Sequence, residues 1–131
     1  MRLILTALIF VGGLAYLVIG LGFLAMPHSL IGGFGLEPQG AMGLSTARAD
    51  FAAFFGISGL AMLYGGWKRS GEVLLVPAGL FGIALLGRIV GVIADGTYEG
   101  FLMPIAIEVL TTAVCLAGWR VLPHEPPSSE F

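Results

Sequence analysis

Four long apolar stretches, at about residues 3–26, 46–67, 73–94 and 101–120, make up most of this chain, and the polar positions gather between them. The hydrocarbon core of a bilayer is about 30 Å thick and takes roughly 20 apolar residues as helix to cross. Each stretch therefore predicts a membrane-spanning helix, and the chain predicts an all-α, integral membrane four-helix bundle over residues 1–120. Arg2 gives the first stretch a positive start, but its apolar run is too long for a signal peptide and LAMPHS lacks a small-x-small cleavage site, so it reads as a retained span.

Helix-ending residues support the same map. Pro27 cannot continue the first helix and restricts Met26 before it. Ser45 is placed to cap the second helix, and Pro77 and Pro104 fall in the opening turns of the third and fourth, where a missing amide hydrogen costs least. The connections are short except for Pro27–Ser45. The polar, proline-rich LPHEPPSSEF predicts a disordered tail over 121–131.

Four crossings return both termini to one side. That side holds Arg2, Lys68, Arg69 and Arg120, whereas the opposite connections hold Glu37, Asp95 and Glu99 and no Lys or Arg. The positive-inside rule then puts both termini in the cytoplasm. Trp67, Trp119 and Tyr98 fall near span ends, where amphipathic rings prefer to sit.

Helices in lipid associate through close packing and polar contacts rather than hydrophobic burial. Small residues should line the contacts: Gly12 and Gly20 flanking Tyr16 in the first span, Ala52, Gly56 and Gly59 in the second, Ala84, Gly87 and Gly91 in the third. These stripes favour a tight bundle with a small face left over for self-association.

Composition agrees: 57% of the 131 residues are hydrophobic, 11% are charged, and mean hydropathy is +0.98. A formal charge of -2 without a basic run gives nucleic acid nothing to bind to. Membrane lipids, a second copy or a larger membrane complex are the partners this composition suits. One Cys and two well-separated His cannot build a metal site, and no cofactor motif is present. Cys115 reads as a small buried apolar residue. No Ser or Thr has a histidine at plausible depth, which argues against an enzyme unless Asp50 or Glu108 acts as a carboxylate base.

The informative exceptions are four ionisable residues within the spans: Arg48 and Asp50 opening the second, Arg88 near the end of the third, and Glu108 a little way into the fourth. At 1.5 Å per residue from the nearest non-cytoplasmic connection, Arg48 lies roughly 5 Å deep, Asp50 roughly 7 Å, Arg88 roughly 10 Å and Glu108 roughly 12 Å. Antiparallel threading thus gathers them into one layer. Arg88 shares a face with Ala84 and Gly91; Glu108 shares one with Pro104, Thr111, Thr112 and Cys115, the most polar stripe in the chain. Arg88 and Glu108 are the expected charge-assisted pair. Arg48 and Asp50, about 200° apart around a helix, cannot point the same way: with Asp50 inward, Arg48 either snorkels to headgroups or bends to a bound anion.

Intramembrane charge is costly and usually marks a working site. Three readings stay open: a neutralised network that only holds the helices in register, a pocket for a small amphipathic or lipid-like ligand or an accessory subunit built around that pocket, and a small oligomeric transporter or proton-coupled permease. The long connection PHSLIGGFGLEPQGAMGLS faces the same side as the charges and reads as either a lid over the bundle mouth or a bland spacer. His28 within it reads as solvated.

A first span ending in Pro, PxxLxxxFGL, ARADFAAFFGISG opening the second span, GRIVGVIADG closing the third and the Ile107–Glu108 pair together resemble a bacterial family of small four-helix inner-membrane proteins grouped only as a domain of unknown function. The resemblance covers residues 3–119 and rests on Arg48, Arg88, Asp95, Gly96 and Glu108. It implies a four-span protein of the bacterial inner membrane and brings no activity or cofactor with it.

Overall fold

The computed structural model describes residues 2–124, and over them the apolar stretches are helices with no strand. In chain order these are α1 (Arg2–Ala25), α2 (Pro27–Ile31), α3 (Gly40–Thr46), α4 (Ala52–Lys68), α5 (Leu75–Asp95) and α6 (Leu102–Val121). A π-helical turn, Ala47–Phe51, joins α3 to α4, and 3-10 turns lie at Gly32–Phe34 and Glu72–Leu74. The runs Arg2–Ala25, Gly40–Lys68, Glu72–Asp95 and Leu102–Val121 are long and apolar enough to cross a membrane.

The expected ends hold at three of these runs. α1 stops at Ala25, and Met26 breaks from helical geometry with φ -144° and ψ 63° before Pro27 opens α2. α5 ends where Gly96 takes φ 92°, a left-handed backbone that favours glycine. The second run differs. It begins at Gly40, so Ser45 lies inside α3 and is not its cap. The Pro27–Ser45 connection is accordingly two helical pieces and a 3-10 turn, because Gly35 and Gly40, at φ 74° and 62°, supply the reversals between them.

Two tight pairs make up the bundle: α1 packs chiefly on α4 and α5 on α6, with fewer contacts between the pairs. The α1–α4 seam is built on glycine. A methyl added at Gly13 would sit 2.8 Å from the Leu63 nitrogen, and one at Gly20 2.7 Å from the Gly56 nitrogen. One at Gly59 would sit 2.7 Å from the Gly13 oxygen. Gly20 was expected on this seam and lies there, whereas Gly12, also expected, meets only the tip of Met62 and Gly13 takes its place. Gly87 and Gly91 were expected at a helix contact and have nothing near them: their side of α5 turns away from its neighbours while Ala84 and Arg88 border a cavity.

The outer face of α1 leaves Leu8, Val11, Leu14, Val18 and Leu21 exposed. In water such a patch would demand cover; in lipid it needs none.

Packing differs at the two ends. At the end carrying both termini, Ile9, Met62, Leu74, Ala78, Cys115 and Leu122 form a closed apolar cluster. Gly118 is held there against Ile9 and Leu74, and the Gly71 amide donates to the Pro123 carbonyl at 2.9 Å. Leu122 is 4% exposed, so the packed body runs past residue 121, where the tail was expected to start. Residues 125–131 lie outside the described part. The opposite end is built on Phe23, Ile31, Ala47, Ala52, Phe55 and Phe81.

Candidate functional site

Aromatic side chains recur on one face of α4 and its π turn because Phe51, Phe54 and Phe55 stand at steps of three and four. Facing them are Tyr16 from α1 and Phe81 from α5. Tyr16 and Phe81 rings lie 4.7 Å apart, and Phe54 and Phe81 rings 4.9 Å apart. Phe34, at the end of the 3-10 turn, folds over this group with its ring 5.3 Å from Phe51 and 5.7 Å from Phe55. The long connection thus covers the mouth of the bundle.

These six rings, with Ile19, Ala84, Pro104 and Ile107, line a half-open cavity of about 410 Å³. That lies within the range of about 300–1,000 Å³ usual for small-molecule sites. Asp50, Arg88 and Glu108 are its charged lining. Arg88, Phe34, Pro104 and Ile107 also border a second, more open space of about 840 Å³, lined further by Tyr98, Glu99, Met103 and the glycines 32, 33, 35 and 100. The outer space therefore reads as a vestibule whose inner wall is the cavity's rim.

Arg88 Nε donates to Glu108 Oε1 at 2.8 Å. Glu108 is 6% exposed, whereas the Arg88 side chain is 36% exposed. The pair is thus buried on the α6 side and open on the α5 side. Among the described residues Glu108 Oε2 has no hydrogen-bond partner, so this carboxylate retains an acceptor beyond its ion pair.

Asp50 and Arg48 part company at the π turn. A π turn holds an extra residue within helical hydrogen bonding and is frequently found at functional sites. Here Asp50, exposed like Arg48, borders the cavity, while Arg48 donates to the Leu24 carbonyl at the C-terminal end of α1. A cation at a helix C-terminus is favourably placed. Three of the four expected charges therefore share one site and Arg48 does not.

The polar residues expected beside them divide too. Tyr16 lines the cavity and shares a hydrogen bond with Thr111, tying α1 to α6 beneath the Arg88–Glu108 pair. Thr112 is on the α5 side of its helix, near Gly82, with its hydroxyl unpartnered among the described residues. Sequence reasoning missed the aromatic lining. Its signal was the spacing of Phe51, Phe54 and Phe55, read for its charges and glycines instead.

No group of three or more His, Cys, Asp or Glu among the described residues is arranged to hold a metal ion. Chemically, the arrangement offers stacking surface, one hydrogen-bonded ion pair and one carboxylate without a cation beside it.

No curated protein and no solved structure matches this chain. A family model described as a domain of unknown function, DUF4345, matches residues 4–119, nearly the whole described body. The chain belongs to that family.

Proposed function

We propose that this protein is a four-span protein of the bacterial plasma membrane that binds a small amphipathic ligand in the aromatic cavity. The observation that carries the reading is the cavity itself: a half-open space of about 410 Å³ lined by six aromatic rings, with charged groups confined to Asp50, Arg88 and Glu108. Sites of this kind hold an apolar body by contact and fix its orientation through a few polar groups. The membrane setting is supported by four helical runs of spanning length and by the exposed leucines and valines of α1. The loop-charge asymmetry supports cytoplasmic termini, with the cavity opening toward the other side.

Binding suits the site better than transport or catalysis. A transporter needs a track through the bundle, and the half next to the termini is packed with Ile9, Met62, Leu74, Ala78 and Cys115. A catalytic reading needs a base held beside a nucleophile or acid, and among the described residues the cavity lining places no Ser, Cys, His or Lys beside Asp50 or Glu108.

Native mass spectrometry of the protein released from lipid nanodiscs tests the reading. The wild type should retain a small molecule. Ala84→Trp, which fills the cavity from α5, should lose that mass while keeping its helix content. Equal retention by both proteins would place the ligand elsewhere and end the proposal.

A further inference from the structure

Charge on the lining is unbalanced. The lining carries two carboxylates, buried Glu108 and, exposed at the cavity's edge, Asp50, and one guanidinium, Arg88. Arg88 already donates to Glu108, and Arg48, the other cation of this region, is turned to the Leu24 carbonyl. Asp50 is left without a cationic partner among the described residues. The vestibule adds Glu99 and repeats Arg88 without adding a second cation, so a ligand approaching from outside passes another carboxylate. Clefts lined by one sign of charge within apolar walls concentrate ligands of the opposite sign.

Aromatic rings point the same way. Cations are attracted to the faces of Tyr and Phe by the ring quadrupole, an effect strengthened by desolvation and used to recognise quaternary ammonium groups. Six rings surround this cavity. An anionic ligand would meet an aromatic lining and an excess of carboxylate, with one guanidinium, paired through its Nε to Glu108, to receive it.

Resting on the cavity reading above, we propose that the ligand is a hydrophobic organic cation, a monovalent amine or onium group on an apolar body, seated among the rings with its charge toward Asp50. Glu108 and Arg88 form the fixed, neutral wall against which it lies. Asp50 supplies the matching charge.

Equilibrium dialysis of the full chain in nanodiscs, with empty nanodiscs subtracted, tests this using three probes of similar shape: tetraphenylphosphonium, tetraphenylborate and uncharged triphenylphosphine oxide. Tetraphenylphosphonium should bind saturably and at least ten-fold more tightly than either of the others. Asp50→Asn should weaken it about ten-fold, the effect of one charge contact, and Asp50→Glu should retain it. Phe54→Leu should weaken it about three- to ten-fold through the lost ring face. Equal or tighter binding of the borate or the neutral probe, abolished by Ala84→Trp, would overturn the cationic assignment and leave the cavity reading standing. Saturable binding of none of the three, together with no mass retained by the wild type, would overturn both. Asp50→Asn binding tetraphenylphosphonium as the wild type does would also overturn the assignment, because Asp50 is its anionic partner.

Discussion

Replacing Gly59 by alanine places one methyl group where the backbones of α1 and α4 meet. That carbon would sit 2.7 Å from the Gly13 oxygen and 2.8 Å from the Leu17 Cα, and would also press on the Leu17 nitrogen. Ordinary carbon contacts lie at about 3.5–4.0 Å, so α1 and α4 must part by roughly 1 Å locally, forfeiting about a quarter to a half of the dispersion attraction along that stretch. Overpacking of this kind costs about 1–3 kcal/mol, while alanine's helix preference over glycine returns about 1 kcal/mol. Because the crowded atoms are backbone and cannot rotate away, the net loss should be about 1–2 kcal/mol. Gly91→Ala is the matched control, since a methyl there meets nothing within 4 Å; it should be neutral or gain up to about 1 kcal/mol. Reversible unfolding in mixed micelles of rising dodecyl sulfate content measures both. Helix content is followed by circular dichroism and the α1–α4 contact by fluorescence of Trp67, whose ring lies 6.1 Å from that of Phe10. A Gly59→Ala protein as stable as the wild type, or a Gly91→Ala protein equally weakened, would refute the reasoning.

Other expectations use the same assay. Glu108→Arg or Arg88→Glu alone should destabilise by about 1–3 kcal/mol, less than a fully buried pair loses because Arg88 is partly open, and the double exchange should recover part of the loss; a double variant no better than either single one would mean that the two are not partners. Ser58 is fully buried with its hydroxyl unpartnered among the described residues, so Ser58→Ala should stabilise by about 1 kcal/mol. A loss of that size instead would show that the hydroxyl is satisfied in the membrane.

The spans were legible in the sequence because twenty apolar residues in a row admit few alternatives, and their ends because Pro27 and Pro104 act on the backbone directly. The Arg88–Glu108 pair was legible because helical rise converts sequence position into depth. The start of the second helix was not: Gly40–Thr46 carries two glycines, Ser45 and Thr46, and its helix is an extension of the apolar run behind it. The π turn at Ala47–Phe51 leaves no compositional mark, so the parting of Arg48 from Asp50 could be foreseen only as a choice of directions. The glycine stripes held at Gly20 and Gly59 but misled at Gly12 in α1 and at Gly87 and Gly91 in α5, since spacing shows which small residues align but not toward which neighbour. The aromatic enclosure required residues from α1, the long connection, α4 and α5 to converge. No single segment carries that information.

The two helix pairs are joined beside the termini, where Gly118 seats against Ile9 and Leu74, and again toward the cavity, where Tyr16 bonds Thr111 and the Phe54 and Phe81 rings touch. Their arrangement is that of tongs. From Leu74 to Arg88 is roughly 21 Å of helix, so a splay of about 5° at the joint moves the tips by roughly 2 Å, about half the width of a methyl group. Neither pair need bend internally, because the glycine backbones within α1–α4 stay locked. Admission of a bulky guest then becomes a question of leverage about the joint beside the termini, with the Tyr16–Thr111 hydrogen bond and the aromatic contacts as the catch, rather than of melting any helix.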